Sequence, residues 1–157
     1  MTASTTDSAT AGPRLDLSGP WPAGYRAMLA FDQAVGTADL EQSLLDLVKQ
    51  RSSQINGCVY CLDMHAKEAR AAGESQQRLD VLVAWREAPL FSERERAALA
   101  LTEAITLVAD THVPDDVVAE ARAHFSPEEL VQLVFHIVVI NAWNRIAVTA
   151  RAPLPPP

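Results

Sequence analysis

A chain of 157 residues, 48% hydrophobic and 21% charged, has the balance of one folded domain and enough material for a sizeable core. Its net charge of −7 at pH 7, without a Lys/Arg cluster, argues against nucleic acid or an anionic membrane as the main partner. The longest apolar stretches, within Leu130–Val148, are broken by Gln132, His136, Asn141, Asn144 and Arg145, too often to span a bilayer. Met1–Pro13 lacks the basic start and apolar run of a secretory signal, so a cytoplasmic protein is expected.

Along the chain, residues 1–13, rich in Ser, Thr and Ala, are expected to form a disordered leader. Residues 14–153 read as a single helical domain, and 154–157 as a proline-rich tail that cannot continue a helix. A first amphipathic helix is predicted over Ala23–Val35, entered through Pro22, and a second over Leu40–Gln54 with Leu44, Leu47 and Val48 on its apolar stripe. Asn56-Gly57 breaks the pattern, and a third helix follows from Cys58 to Ala72, stopping at Gly73. A fourth covers Ser75–Glu87 and ends before Pro89. The capping box Ser92-Glu-Arg-Glu95 opens a helix reaching Asp110, and Pro114-Asp-Asp starts a short one. A second capping box, Ser126-Pro-Glu-Glu129, opens the longest helix, to Thr149. With no convincing strand, the predicted class is all-α.

The chemistry concentrates in Cys58-Val-Tyr-Cys61-Leu-Asp-Met-His65, which holds both cysteines of the chain. On a helix Cys58, Cys61 and His65 share one face, the minimum for thiol redox chemistry. One thiolate attacks, the other resolves the product as a disulfide, and the imidazole moves the proton. Other readings are that the cysteines are small buried hydrophobes, or half of a zinc site. A structural zinc wants four ligands, and His112, His124 and His136 lie on distant segments without zinc spacing. Asp63 points away from the sulfur face, and Tyr60 either shields the sulfurs or packs. His136, in an apolar run, reads as a core or interface histidine. Asn141, Asn144 and Arg145 need partners in backbone or in a neighbouring subunit. The helix dipole alone would make Cys58, nearer the N-terminus, the attacking thiol.

The stretch Ser53-Gln-Ile-Asn-Gly-Cys58-Val-Tyr-Cys61-Leu-Asp-Met-His65 resembles the AhpD-type alkylhydroperoxidases, within the broader carboxymuconolactone decarboxylase-like group. Ala66-Lys-Glu-Ala-Arg70, Trp85-Arg-Glu87, Glu93-Arg-Glu-Arg-Ala97, His112-Val-Pro-Asp115 and Ile140-Asn-Ala-Trp-Asn-Arg145 extend the resemblance over residues 14–153. It implies a helical bundle with a central antiparallel helix hairpin carrying the dithiol. It also implies homo-oligomers, as trimers or hexamers, and antioxidant reduction of hydroperoxides without haem, flavin or metal. By resemblance Cys61 attacks and Cys58 resolves, the reverse of the dipole argument, with His65 and a relay carboxylate acting on Cys61. The family's glutamate twelve residues before the first cysteine falls on Asp46, shorter by one methylene, so the implied relay from Asp46 to His65 is direct, bridged by water, or slack. The implied partners are a hydroperoxide substrate and an external dithiol reductant, lipoyl or thioredoxin-like. Two rival functions are a disulfide oxidoreductase or relay acting on protein or lipoyl dithiols, and a non-enzymatic redox-sensing oligomer. Carboxymuconolactone decarboxylation would leave the dithiol without a task.

Overall fold

The computed structural model describes residues 12–154, so most of the expected leader and tail lies outside the described residues. Among the described residues the chain is helical and contains no strand. The helices are α1 (Pro22–Val35), α2 (Gln42–Asn56), α3 (Val59–Ala71), α4 (Gln76–Val81), α5 (Glu93–Thr106), α6 (Val108–Thr111), α7 (Asp115–His124) and α8 (Pro127–Ala150). The all-α prediction and the hairpin of α2 and α3 both hold.

Helix α2 is the hub, packing against α8, α3 and α5. Leu44, Leu45 and Val48 enter one apolar cluster with Ala97, Leu101, Leu133 and Ile137. Leu47 enters another, with Leu82, Trp85, Phe91 and Leu99. Each such leucine or isoleucine removed from water contributes about 1.5–3 kcal/mol before conformational entropy is subtracted. Gly57 ends α2 with φ 64° and ψ 34°, a left-handed geometry that glycine adopts without steric cost. The chain turns back within two residues, and Cys58 becomes the N-cap of α3, its Sγ accepting the Cys61 N–H at 3.3 Å.

Two predicted helices break early, and in each a side chain bonds carbonyls at or beyond the break. Beyond Val81 the chain tightens into a 3-10 turn, Leu82–Ala84, and Arg96 reaches over from α5 to the carbonyls of Trp85 at 3.0 Å and Arg86 at 2.6 Å. That geometry lets Leu82 and Trp85 both enter the second cluster. The helix from Ser92 stops at Thr106 rather than Asp110, and the Thr111 hydroxyl donates to the Ala104 carbonyl at 2.6 Å.

Helix α8 runs the length of the bundle against α1, α2, α3, α5 and α7. By length and composition it passes for a membrane span, despite the interruptions expected to prevent this. In the fold it is a packing axis, with Leu133, Ile137 and Asn144 wholly buried. Its two buried asparagines find partners within the chain. The Asn144 carbonyl oxygen accepts from Asn56 Nδ2 at 2.9 Å, and its amide donates to Ser53 Oγ at 3.1 Å. Asn141 accepts from Asn56 and from Arg145, each at 2.9 Å, and donates to Thr106 Oγ1 at 3.0 Å. Buried amides that meet their partners this way fix one register between two helices. The network clamps the last turn of α2, just ahead of Gly57 and Cys58, onto α8.

Candidate functional site

Cys58 and Cys61 form a disulfide with their Cα atoms 5.3 Å apart. Both residues are buried. The Cys-x-x-Cys spacing makes the pairing possible because Cys58 sits just outside the helix as N-cap while Cys61 lies in its first turn.

Cys61 lines a cleft of about 260 Å³ together with His65, Met64 and Tyr60 from α3 and Lys49 from α2. Ile140, Trp143 and Ala147 of α8 supply one wall, and Tyr25, Leu29 and Asp32 of α1 form the roof. Helix α1 buries no residue fully and is held on α8 by edge-to-face pairs: Tyr25 with Trp143 at 5.9 Å and Phe31 with Phe135 at 6.2 Å. The cleft is thus mainly apolar and aromatic, with a thiol position, an imidazole and an ammonium on its surface.

His65 Nδ1 lies 2.8 Å from Glu68 Oε2, one helical turn away. An ionised carboxylate only accepts, so Nδ1 carries the proton and Nε2 is left as the basic nitrogen. Burial lowers the pKa of His65 most strongly, the Glu68 hydrogen bond opposes it, and the Lys49 charge lowers it further. The ring is therefore held as a neutral base.

Asp46, the expected relay carboxylate, is buried, and among the described residues its direct contacts lie along α2. Its Oδ1 accepts from Gln42 Nε2 at 2.7 Å and pairs with Lys49 Nζ at 2.9 Å. The Asp46 charge also acts on His65, favouring its imidazolium. A buried carboxylate needs a counter-charge, and Lys49, one turn on along α2, is nearer than the imidazole on α3. Of the sequence-predicted site residues, Cys58 and Cys61 are joined, Cys61 and His65 line one cleft, and Asp46 pairs with Lys49 of that cleft. Lys49 and Glu68 were missed by the sequence reading. The signal was present in both cases as an i, i+3 pairing on a helix, Asp46 with Lys49 and His65 with Glu68. Asp63 pairs with Lys67 at 2.8 Å at the surface, as its helical register implied.

His136 is also buried, and its Nε2 has no hydrogen-bond partner among the described residues. Burial lowers its pKa first and the Lys49 charge next, opposed by Asp32 and the Val35 carbonyl. Lys49 therefore acts on two buried imidazoles at once. Among the described residues no group of three or more His, Cys, Asp or Glu side chains is arranged to hold a metal ion.

Two depressed histidines give the fold an acid sensitivity of definite sign. Below the ordinary histidine value of 6.5 the unfolded chain takes up protons that the folded chain resists. Their stability contribution is full above that value and lost as pH falls from it toward the depressed values. Urea midpoints are expected to fall between pH 7 and pH 5, before Glu41, Glu95 and Glu103, whose pKa values are lowered from 4.5, begin to protonate. In a His65→Gln/His136→Gln double variant that decline should flatten. A wild-type midpoint that is level across this window would refute the assignment.

A helical hairpin holding a buried disulfide against a neutral imidazole defines a dithiol redox fold of the AhpD kind. Residues 22–104 match the carboxymuconolactone decarboxylase family, and the chain belongs to that family. The matched span contains Asp46, Cys58, Cys61 and His65. The uncharacterized protein YdfG of Bacillus subtilis (strain 168) is 40% identical over 127 residues, 81% of this chain and 86% of that protein. A crystal structure of a protein of unknown function from Agrobacterium tumefaciens, for which a role as the antioxidant defence protein AhpD has been suggested, is 41% identical. It superposes with a TM-score of 0.89 over 93% of this chain and all of that one. The debrominase Bmp8 shares the fold with a TM-score of 0.74, at 17% identity over 85% of this chain and 72% of its own. One fold thus carries more than one chemistry, and the site must decide between them.

Proposed function

We propose that the protein is a thiol-dependent peroxidase that reduces hydroperoxides through a Cys58/Cys61 dithiol–disulfide cycle, as an AhpD-like alkylhydroperoxidase. The observation that carries this reading is that Cys61, and not Cys58, lines the cleft that also holds His65 and Lys49. His65 Nε2 takes the Cys61 proton while Glu68 holds Nδ1–H, and the Lys49 ammonium favours the thiolate. The thiolate attacks one peroxide oxygen, the O–O bond breaks, and the leaving oxygen takes a proton to give an alcohol, or water from hydrogen peroxide. Cys61 is then a sulfenic acid. The Cys58 thiol condenses with it, water leaves, and the disulfide forms. An external dithiol returns two electrons and two protons. The apolar walls suit an organic hydroperoxide. The chemistry needs no haem, flavin or metal.

The reading also includes a homo-oligomer, a trimer or hexamer in the cytoplasm. Val131, Phe135 and Val138 are exposed along α8, and Trp21 beside α1 adds to the uncovered apolar surface. The mass of a single chain by light scattering would remove that part.

The deciding experiment is a single turnover of the pre-reduced protein with cumene hydroperoxide, counting free thiols against peroxide consumed. Two thiols lost per peroxide support the peroxidase. The attachment of Asp46 to Lys49 rather than His65 favours a second reading, a disulfide oxidoreductase for protein or lipoyl dithiols. Thiols that ignore peroxide but exchange rapidly with a disulfide donor would select it.

A further inference from the structure

The two cysteines line different openings. Cys61 lines the large cleft, and Cys58 does not. Cys58 instead lines a second cleft of about 130 Å³, with Gly57, Val59, Val148, Arg151 and Ala152, and Cys61 is absent from it. Tyr60 and Ala147 belong to both, so they form the partition between them. The second opening is not crowded: a Cβ added at Gly57 would meet nothing within 4 Å. Its rim is apolar, with Val59 and Val148 exposed, and carries one cation, Arg151, which makes no ion pair among the described residues. Arg151 caps α8 at φ 52° and ψ 58°, a left-handed conformation unfavourable for a residue with a side chain. A glycine would suit that backbone better, so the arginine is present at some cost in stability.

We infer that the disulfide is served from two sides: oxidant reaches Cys61 through the large cleft, and a dithiol reductant bearing an anionic group reaches Cys58 through the second, received by Arg151. This rests on the dithiol–disulfide cycle proposed above. The chemistry favours it. A thiolate attacks a disulfide in line with the S–S bond, from the side remote from the leaving sulfur, so attack on Cys58 must come through the opening that Cys58 lines. The reductant's thiolate bonds to Cys58 Sγ, the S–S bond breaks, and Cys61 leaves as a thiolate. Beside Lys49 and His65, Cys61 is the better leaving group of the two. The reductant's second thiol, deprotonated, attacks its own sulfur in the mixed disulfide, expels Cys58 and closes its own disulfide. The two protons released by the reductant's thiols return to Cys58 and to the Cys61–His65 pair. Substrate and reductant then need not share a cavity, and Cys61 is regenerated already facing the peroxide.

The test compares dihydrolipoate and dihydrolipoamide, identical dithiols that differ by one carboxylate charge, as reductants of the oxidised protein. Wild type is expected to react about fivefold faster with the anion at low salt, a preference that shrinks as ionic strength rises. Arg151→Gly removes the charge on a backbone glycine favours, so poor folding is no escape. It should erase the preference through the dihydrolipoate rate alone, and Arg151→Lys should restore part of it. Ala152→Phe, narrowing the opening, should slow both reductants while oxidation of the reduced protein by cumene hydroperoxide keeps its wild-type rate. Quenched mixed disulfides should map to Cys58. Adducts on Cys61, or equal loss of both rates in Arg151→Gly, would overturn the inference. Failure of peroxide to oxidise the reduced protein would instead count against the peroxidase reading, because the reductant measurements begin from the disulfide and do not depend on peroxide.

Discussion

Cys61→Ser is expected to lower peroxide consumption by roughly a thousandfold or more, to the level of buffer, because a hydroxyl on the same arm has no accessible anion near neutral pH. Cys58→Ser is expected to behave differently. Its first turnover should run at close to the wild-type rate and then stop, leaving a sulfenic acid on Cys61 that a dimedone-type reagent traps. The asymmetry follows from placement. Both sulfurs are buried to the same degree, but only Cys61 shares its cleft with the His65 base and the Lys49 ammonium. The helix dipole argued for Cys58, and its Sγ does accept the Cys61 N–H at the head of α3. A dipole effect of about 0.3–1 kcal/mol is small beside a base and a full charge sharing a poorly solvated cleft. Rapid-quench measurements with thiol counting separate the two variants. A trapped sulfenate on Cys58 in the Cys61→Ser protein would reverse the assignment of roles.

The fold was legible in the sequence wherever local signals acted alone. The capping boxes at Ser92 and Ser126 form with both reciprocal hydrogen bonds, and Gly57 stops α2 in the left-handed geometry the Asn-Gly step implied. The boundaries that slipped are those set from afar. The segment after α4 is held by Arg96 of the next helix, and the break at Leu107 is accompanied by the Thr111 hydroxyl on the Ala104 carbonyl. Nothing within either segment announces these contacts. The lead-in Ser53-Gln-Ile-Asn-Gly acquires a physical meaning only in three dimensions, since Ser53 and Asn56 are the α2 side of a polar clamp completed by Asn141 and Asn144 on α8. At the site, the Cys-x-x-Cys-x-x-x-His face was readable from helical periodicity. The carboxylates were less legible. Counting residues to Asp46 found a buried acid but not its partner, because partner choice depends on which cation or imidazole the packing brings nearest. His65 met that need within its own helix, at Glu68.

The paired roles of Asp46 and Lys49 predict opposite effects from two neighbouring substitutions. Lys49→Met removes a cation from the cleft. The Cys61 thiol pKa should rise, and a rise of one unit would slow alkylation by iodoacetamide at pH 7 about tenfold in a Cys58→Ser background. The His65 pKa should rise as well, since the Lys49 charge now helps to hold it down. Asp46→Asn does the reverse. The amide keeps the shape and the contact with Gln42 but leaves the Lys49 charge unmatched, so the thiol pKa should fall and alkylation at pH 7 should quicken. His65 should titrate lower still, because the Asp46 charge now favours its protonated form. Imidazole proton NMR and the pH profile of alkylation read both shifts independently of peroxide turnover. A direct relay from Asp46 to His65 predicts something else: Asp46→Asn would disable the base and slow thiolate formation, in the same direction as Lys49→Met. If the two variants shift the alkylation profile the same way, the relay stands and the anchoring role of Asp46 is lost. If they shift it in opposite directions, Asp46 works by holding Lys49, and the thiolate at Cys61 owes its stability to the ammonium beside it.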